Sequence, residues 1–103
     1  MIVYEVNLFV QRDIAPAFRP WLDSHVREIL ALPGFLGAEV FERTEPPADA
    51  GELVLCTQYR LRDAAALATY LREHAPRLRA DGVEKFGGRF RADRRVLTAI
   101  ARY

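Results

Sequence analysis

Two histidines, one tryptophan and a cluster of arginines are the residues of this chain that could carry chemistry. His25 falls between Leu22 and Ile29 in "WLDSHVREIL", four residues beyond Trp21. Its ordinary pKa lies near neutrality, so at the mouth of a pocket it could act as general base or ligand. The same position also suits a half-buried imidazole satisfied by a backbone carbonyl. His74 stands two residues before Pro76 in "EHAPRLRADGVEKFGGRF". There it is expected to cap carbonyls that the proline frees, a role the helix dipole favours. Arg77 and Arg79 would lie in the first turns of any helix restarting at Pro76, where the dipole disfavours cations. That placement asks for an external anion, or for a carboxylate such as Glu73, Asp81 or Glu84. Guanidinium forks bind carboxylate and phosphate through two parallel bonds, so an acidic small molecule is one candidate.

Other constellations point to structure. Two histidines on separate helices, with no cysteine or carboxylate at ligand spacing, do not make a metal site, and neither metal nor cofactor is expected. Cys56, the single cysteine, excludes an internal disulfide and reads as a small core or interface residue. Arg94 and Arg95 are neighbours on a strand and so face opposite ways. If Phe90, Ala92 and Val96 face the helices, Arg94 is expected to be partly buried there and to need a partner. "GGRFRADRR" lacks the repeated aromatics on which RNA bases stack, so no nucleic-acid partner is expected.

The elements that must position these residues follow from periodicity. "IVYEVNLFV" alternates, with Ile2, Tyr4, Val6, Leu8 and Val10 on one face and Val3, Glu5, Asn7 and Phe9 on the other, which predicts a strand. Phe18, Trp21, Leu22, Val26, Ile29 and Leu32 recur at helical spacing over 15–32. Pro16 and Pro20 suit that helix only near its start, where N–H groups have no internal partner to lose. "LPGF" stops it. "FLGAEVFERTE" and "ELVLCTQYRL" predict two more strands, joined by the loop "PPADAG". Asp63 is a natural N-cap for a second helix carrying Leu67, Tyr70, Leu71 and His74. Pro76 should break that helix, and the piece beyond should turn Leu78, Val83 and Phe86 inward. The double glycine then leads into a last strand over 89–100.

The order βαββαβ is the split βαβ arrangement of the α+β ferredoxin-like fold, a four-stranded antiparallel sheet with helices on one face. It accounts for one domain spanning 1–103. The other sheet face, with Val3, Phe9, Val54 and Cys56 beside Glu5, Asn7, Gln58 and Arg60, is too apolar to be left in water. A second copy packed sheet on sheet would cover it, so a homodimer is expected.

Composition sets bounds. The formal net charge is +1 over 103 residues. Residues 1–71 hold six Arg/Lys against ten Asp/Glu, and residues 72–103 hold nine against four. A basic C-terminal third can steer an anion or pair with the acidic body. No apolar run reaches the length of a membrane span and no leader pattern is visible, so a cytoplasmic protein without membrane contact is expected.

The "MIVYEV" strand, Trp21 and His25, "HAPRLR", "FGGRF" and "RRVL" resemble, in that order and near that spacing, the short bacterial proteins of domain of unknown function 4286. The resemblance runs over essentially the whole chain. It implies the dimeric α+β barrel superfamily, in which two ferredoxin-like chains pack their sheets together. That superfamily includes antibiotic-biosynthesis-type monooxygenases, haem-degrading enzymes, chlorite dismutase-like proteins and muconolactone isomerases. "LPGF" is similar to a turn common in the monooxygenase branch. The resemblance implies fold and dimer more strongly than chemistry.

Together these readings place a small-ligand cavity between sheet and helices. His25 and Trp21 would line it, with Tyr59, Asn7 and Gln58 as polar walls, and His74, Arg77 and Arg79 would attract an anionic group at its rim. Competing readings are a non-catalytic structural or interaction protein, and a cofactor-independent oxygenase or isomerase by superfamily analogy.

Overall fold

Alternating β-branched and aromatic residues put Ile2–Gln11 in an extended strand, β1, whose even-numbered side chains all point to one layer. In the computed structural model, which describes residues 1–103, β1 is followed by a 3-10 turn and helix α1, Ala15–Leu30. Strands β2, Phe35–Glu42, and β3, Glu52–Leu61, come next, then helices α2, Ala64–Glu73, and α3, Ala75–Phe86, and finally strand β4, Phe90–Thr98. The sheet order is β2-β3-β1-β4 with every neighbouring pair antiparallel, which is the ferredoxin-like topology.

The local signals act as their chemistry requires. Asp63 caps α2, its Oδ1 accepting from the Ala66 N–H at 2.8 Å. Pro16 occupies the first turn of α1, while Pro20 stands inside that helix. Pro76 likewise begins α3, so the long helical stretch is two helices joined at His74. The strands are shorter than the sequence suggests: β2 ends at Glu42, ahead of "RTE", and β4 spans Phe90–Thr98. Helix α1 likewise stops at Leu30, since Leu32 already belongs to the turn into β2.

The core divides in two. One cluster gathers Tyr4, Tyr59, Leu61, Leu67, Tyr70 and Leu78 under α2 and α3. The other gathers Leu8, Val10, Phe18, Leu22, Leu53 and Leu55 under α1. Val6, in the middle of β1, packs against both. Val83 does not turn inward as the helical stripe suggested; it is 59% exposed. The buried position of that turn is Gly82, where an added Cβ would lie 2.9 Å from the Trp21 ring and 3.3 Å from Phe90. Only a glycine lets α3 come this close to α1.

Candidate functional site

Between the two core clusters lies a cavity of about 310 Å3. Its floor is one cross-strand row of the sheet, Arg94 on β4 opposite Val6 on β1, and Val6 opposite Thr57 on β3. Trp21, Leu22, His25 and Ile29 of α1 form one wall, and Tyr70, Leu78, Arg79 and Val83 of α2 and α3 another. Tyr4, Tyr59 and Phe90 add aromatic surface. The walls are mainly apolar, and no carboxylate is among them.

The polar groups of this cavity are held in defined states. Trp21 is fixed by its indole N–H, which donates to Asp81 Oδ2 at 2.8 Å, and Lys85 binds the same oxygen at 3.2 Å. The His25 ring stacks on Trp21 with centroids 4.6 Å apart and an interplanar angle of 21°. Burial pushes the His25 pKa below its ordinary value, outweighing the attraction of Glu28 and Asp81, so the imidazole is neutral at neutral pH. Burial also drives the Tyr59 phenol far above its ordinary pKa and raises Tyr70 to about 12. Both remain protonated and able to donate. Arg79 Nη2 donates to Tyr4 Oη at 2.9 Å. Thr57 is 1% exposed and its hydroxyl has no hydrogen-bond partner. A buried hydroxyl without a partner costs free energy and is rare in folded proteins. Such a set can bind an apolar body, donate hydrogen bonds to its oxygens, and take a proton at His25.

Of the residues expected at the site, the fold brings together Trp21, His25, Tyr59 and Arg79. Asn7 and Gln58 are not cavity walls. They lie on the opposite sheet face, where Asn7 Nδ2 and Gln58 Nε2 donate to Glu5 at 3.0 and 2.9 Å. The alternation that turns Tyr59 toward the helices turns Gln58 away from them. His74 does not cap carbonyls with its side chain; its Nδ1 meets Arg77 Nη2 at 3.0 Å. Arg77 in turn reaches Glu28 of α1 at 3.2 Å, so its anion is internal and it stands apart from the cavity.

The arginine pair is also redistributed. Arg94 is on the helix-facing side as the register requires, yet it is exposed: α1 and α3 cover the edge strand β4 at Phe90, which packs on Phe18, Trp21 and Phe86, and leave Arg94 uncovered. Arg95, on the open face, is the one with a partner: it grips Glu5 through Nε and, at 3.3 Å, through Nη2. Glu5 is 2% exposed, and these partners, Arg95 first, hold its pKa down to about 2. Cys56 adjoins Glu5, and burial and that carboxylate push the thiol pKa up, which disfavours the thiolate. The Glu5 cluster has no single-segment signal. It is visible only in the register, which sets Glu5 opposite both Gln58 and Arg95.

A four-stranded antiparallel sheet in this order, with its helices on one face and a cavity between the layers, defines an α+β protein of ferredoxin-like fold. The chain belongs to the family described as Domain of unknown function (DUF4286), whose model matches residues 1–100. No curated protein matches it in sequence. Among solved structures it is similar to a candidate antibiotic biosynthesis monooxygenase from Deinococcus radiodurans. That likeness has a TM-score of 0.74 at 15% identity, over 100% of this chain and 96% of that one. It is similar also to SnoaB, a cofactor-independent oxygenase from Streptomyces nogalater, with a TM-score of 0.67 at 17% identity over 98% and 95% of the chains. A third likeness is to a de novo designed protein, Foldit4, with a TM-score of 0.65 at 17% identity over 95% and 97%. A fold shared with a designed protein carries no chemistry by itself. No helix is long and apolar enough to cross a membrane.

Proposed function

We propose that this protein binds a compact, largely aromatic small molecule in the cavity between sheet and helices. One observation carries the reading: a hydroxyl, that of Thr57, is buried without a partner on the floor of a mainly apolar cavity. A ligand oxygen would supply the missing bond. The volume of about 310 Å3 is in the range of small-molecule sites. A thermal-shift screen against aromatic and organic acids tests it. Ligands should raise the midpoint of the natural protein, and Ala92→Phe, which fills the cavity from β4, should abolish the shift. No hit across a broad panel would favour a purely structural protein.

The protein works as a cytoplasmic homodimer in this reading. The face opposite the helices carries Phe9, half-buried Cys56 and Phe41, which is 45% exposed, around the Glu5 cluster. A second sheet laid on it would remove that apolar surface from water. Light scattering at micromolar concentration checks the assembly, and a monomer would overturn it.

A neutral His25 against the Trp21 ring favours a second reading, proton abstraction from an acidic phenol ahead of oxygenation or isomerisation. Oxygen uptake with a confirmed ligand, lost in His25→Asn while binding persists, distinguishes catalysis from binding.

A further inference from the structure

The charge around the cavity narrows the ligand class. Eight of the chain's fifteen Lys and Arg side chains lie within salt-bridge distance of a carboxylate. Three that do not, Arg79, Arg91 and Arg94, border the cavity. Arg91 is occupied elsewhere: its guanidinium stacks over the Phe9 ring at 3.7 Å, on the open face. Arg79 makes a single side-chain hydrogen bond, to the Tyr4 hydroxyl, and no ion pair. Arg94 makes no side-chain hydrogen bond and no ion pair, although Ala92 and Phe90 of its own strand face are half-buried in the cavity wall. The lining holds two such guanidiniums and no carboxylate, so an anion beside them finds a counter-charge; Glu28 and Asp81, which act on His25, lie outside the lining.

The row that forms the floor adds a length. Arg94 and Thr57 sit on either side of Val6, two strand spacings apart, or about 10 Å between backbones. One end of the floor therefore offers a free guanidinium at the exposed edge strand. The other offers a buried, unpartnered hydroxyl, and an apolar Val6 lies between them.

Building on the reading that this cavity binds a small molecule, we infer that its ligand is a hydroxylated or oxo-substituted aromatic carboxylic acid. The carboxylate lies at the mouth against Arg94, with Arg79 as the second cation. The aromatic body covers Val6 between Trp21 and Tyr59, and the distal oxygen reaches the Thr57 hydroxyl. A free inorganic anion satisfies Arg94 but leaves Thr57 and the apolar walls unmet. A neutral aromatic satisfies the walls but leaves both cations without a counter-charge.

Calorimetric titration with hydroxynaphthoic acid, its primary amide, naphthoic acid lacking the hydroxyl, and inorganic phosphate tests this. In the natural protein the hydroxy acid should bind most tightly, and added salt should weaken it. Arg94→Gln should weaken both acids roughly ten- to hundredfold and leave the amide unchanged. Thr57→Val should weaken the hydroxy acid and not naphthoic acid. Equal affinity for acid and amide, or an Arg94→Gln loss common to both, would overturn the carboxylate assignment while leaving the cavity a binding site. Phosphate binding as tightly as the hydroxy acid would overturn the aromatic body. If neither acid nor amide bound at millimolar concentration, the cavity reading itself would fall, and the ligand class with it.

Discussion

Glu5 is a carboxylate buried on the sheet face that the helices leave open, and the residue that holds it there is Arg95, directly opposite on the neighbouring strand. Asn7 and Gln58 complete its hydrogen bonds. A buried charge so partnered is costly to break from either side.

Its depressed pKa makes stability depend on acid. Glu5 falls from an ordinary value of 4.5 to about 2 in the fold, with the Arg95 bond as first cause. The unfolded chain takes up the proton first as pH drops, so the stabilisation is complete above about pH 5 and is lost as pH falls toward 2. It should amount to about 2 kcal/mol, allowing for the solvent around Arg95. Urea unfolding at neutral pH and at pH near 3 measures it, and Glu5→Gln should flatten that dependence.

His25 gives a second titration of the same sign, in a higher pH window. Burial lowers its pKa, so the unfolded chain binds the proton at higher pH than the folded one. Stability should therefore decline as pH falls below the ordinary histidine value, and the decline should end below the lowered pKa of the fold. The stacked Trp21 reports the same event. Its emission should titrate with a midpoint below 6.5, the ordinary value, and His25→Asn should remove the titration.

Thr57→Val should stabilise the empty protein. The substitution removes a buried hydroxyl that has no partner and keeps its branched shape on the cavity floor. A gain of about 1–2 kcal/mol is expected. Differential scanning calorimetry without ligand checks it, and a fall in midpoint would mean that the hydroxyl is satisfied in solution.

Gly82→Ala should act in the reverse direction. Its new Cβ would meet the Trp21 ring at 2.9 Å, so α3 or the indole must move. A loss of about 1–3 kcal/mol is expected, as for other overpacked sites. A red shift in the emission of Trp21, the chain's single tryptophan, would show that the displacement reaches the cavity wall.

Much of the fold was legible because its signals are local. Alternation in "IVYEVNLFV", the Asp63 cap and the Pro76 break each act within a few residues, and each is realised. Trp21, His25, Tyr59 and Arg79 meet because helix stripe and strand face both point to the same layer. What was not legible depends on register and on edges. The Glu5 cluster needs three strands aligned to within one residue, and Asn7 and Gln58 belong to it. Arg94 was expected to be covered because its neighbours on the strand are apolar. Whether a helix reaches over an edge strand is decided by helix placement, which no pattern within β4 encodes. Val83 is exposed because Gly82, packed against Trp21, takes the inward position of that turn.

Arg94 and Arg95 are chemically identical neighbours that serve different masters, one a cavity floor and the other a buried carboxylate. Selection on the two should accordingly differ across relatives. Position 95 should change only in concert with position 5, since loss of Arg95 alone strands the buried Glu5 charge. Position 94, which holds no partner within the chain, should vary more freely, and if the cavity takes the proposed acid it should stay basic only where that ligand is kept. Two adjacent codons would then hold separate records, one of how the chain stays folded and the other of what it has met.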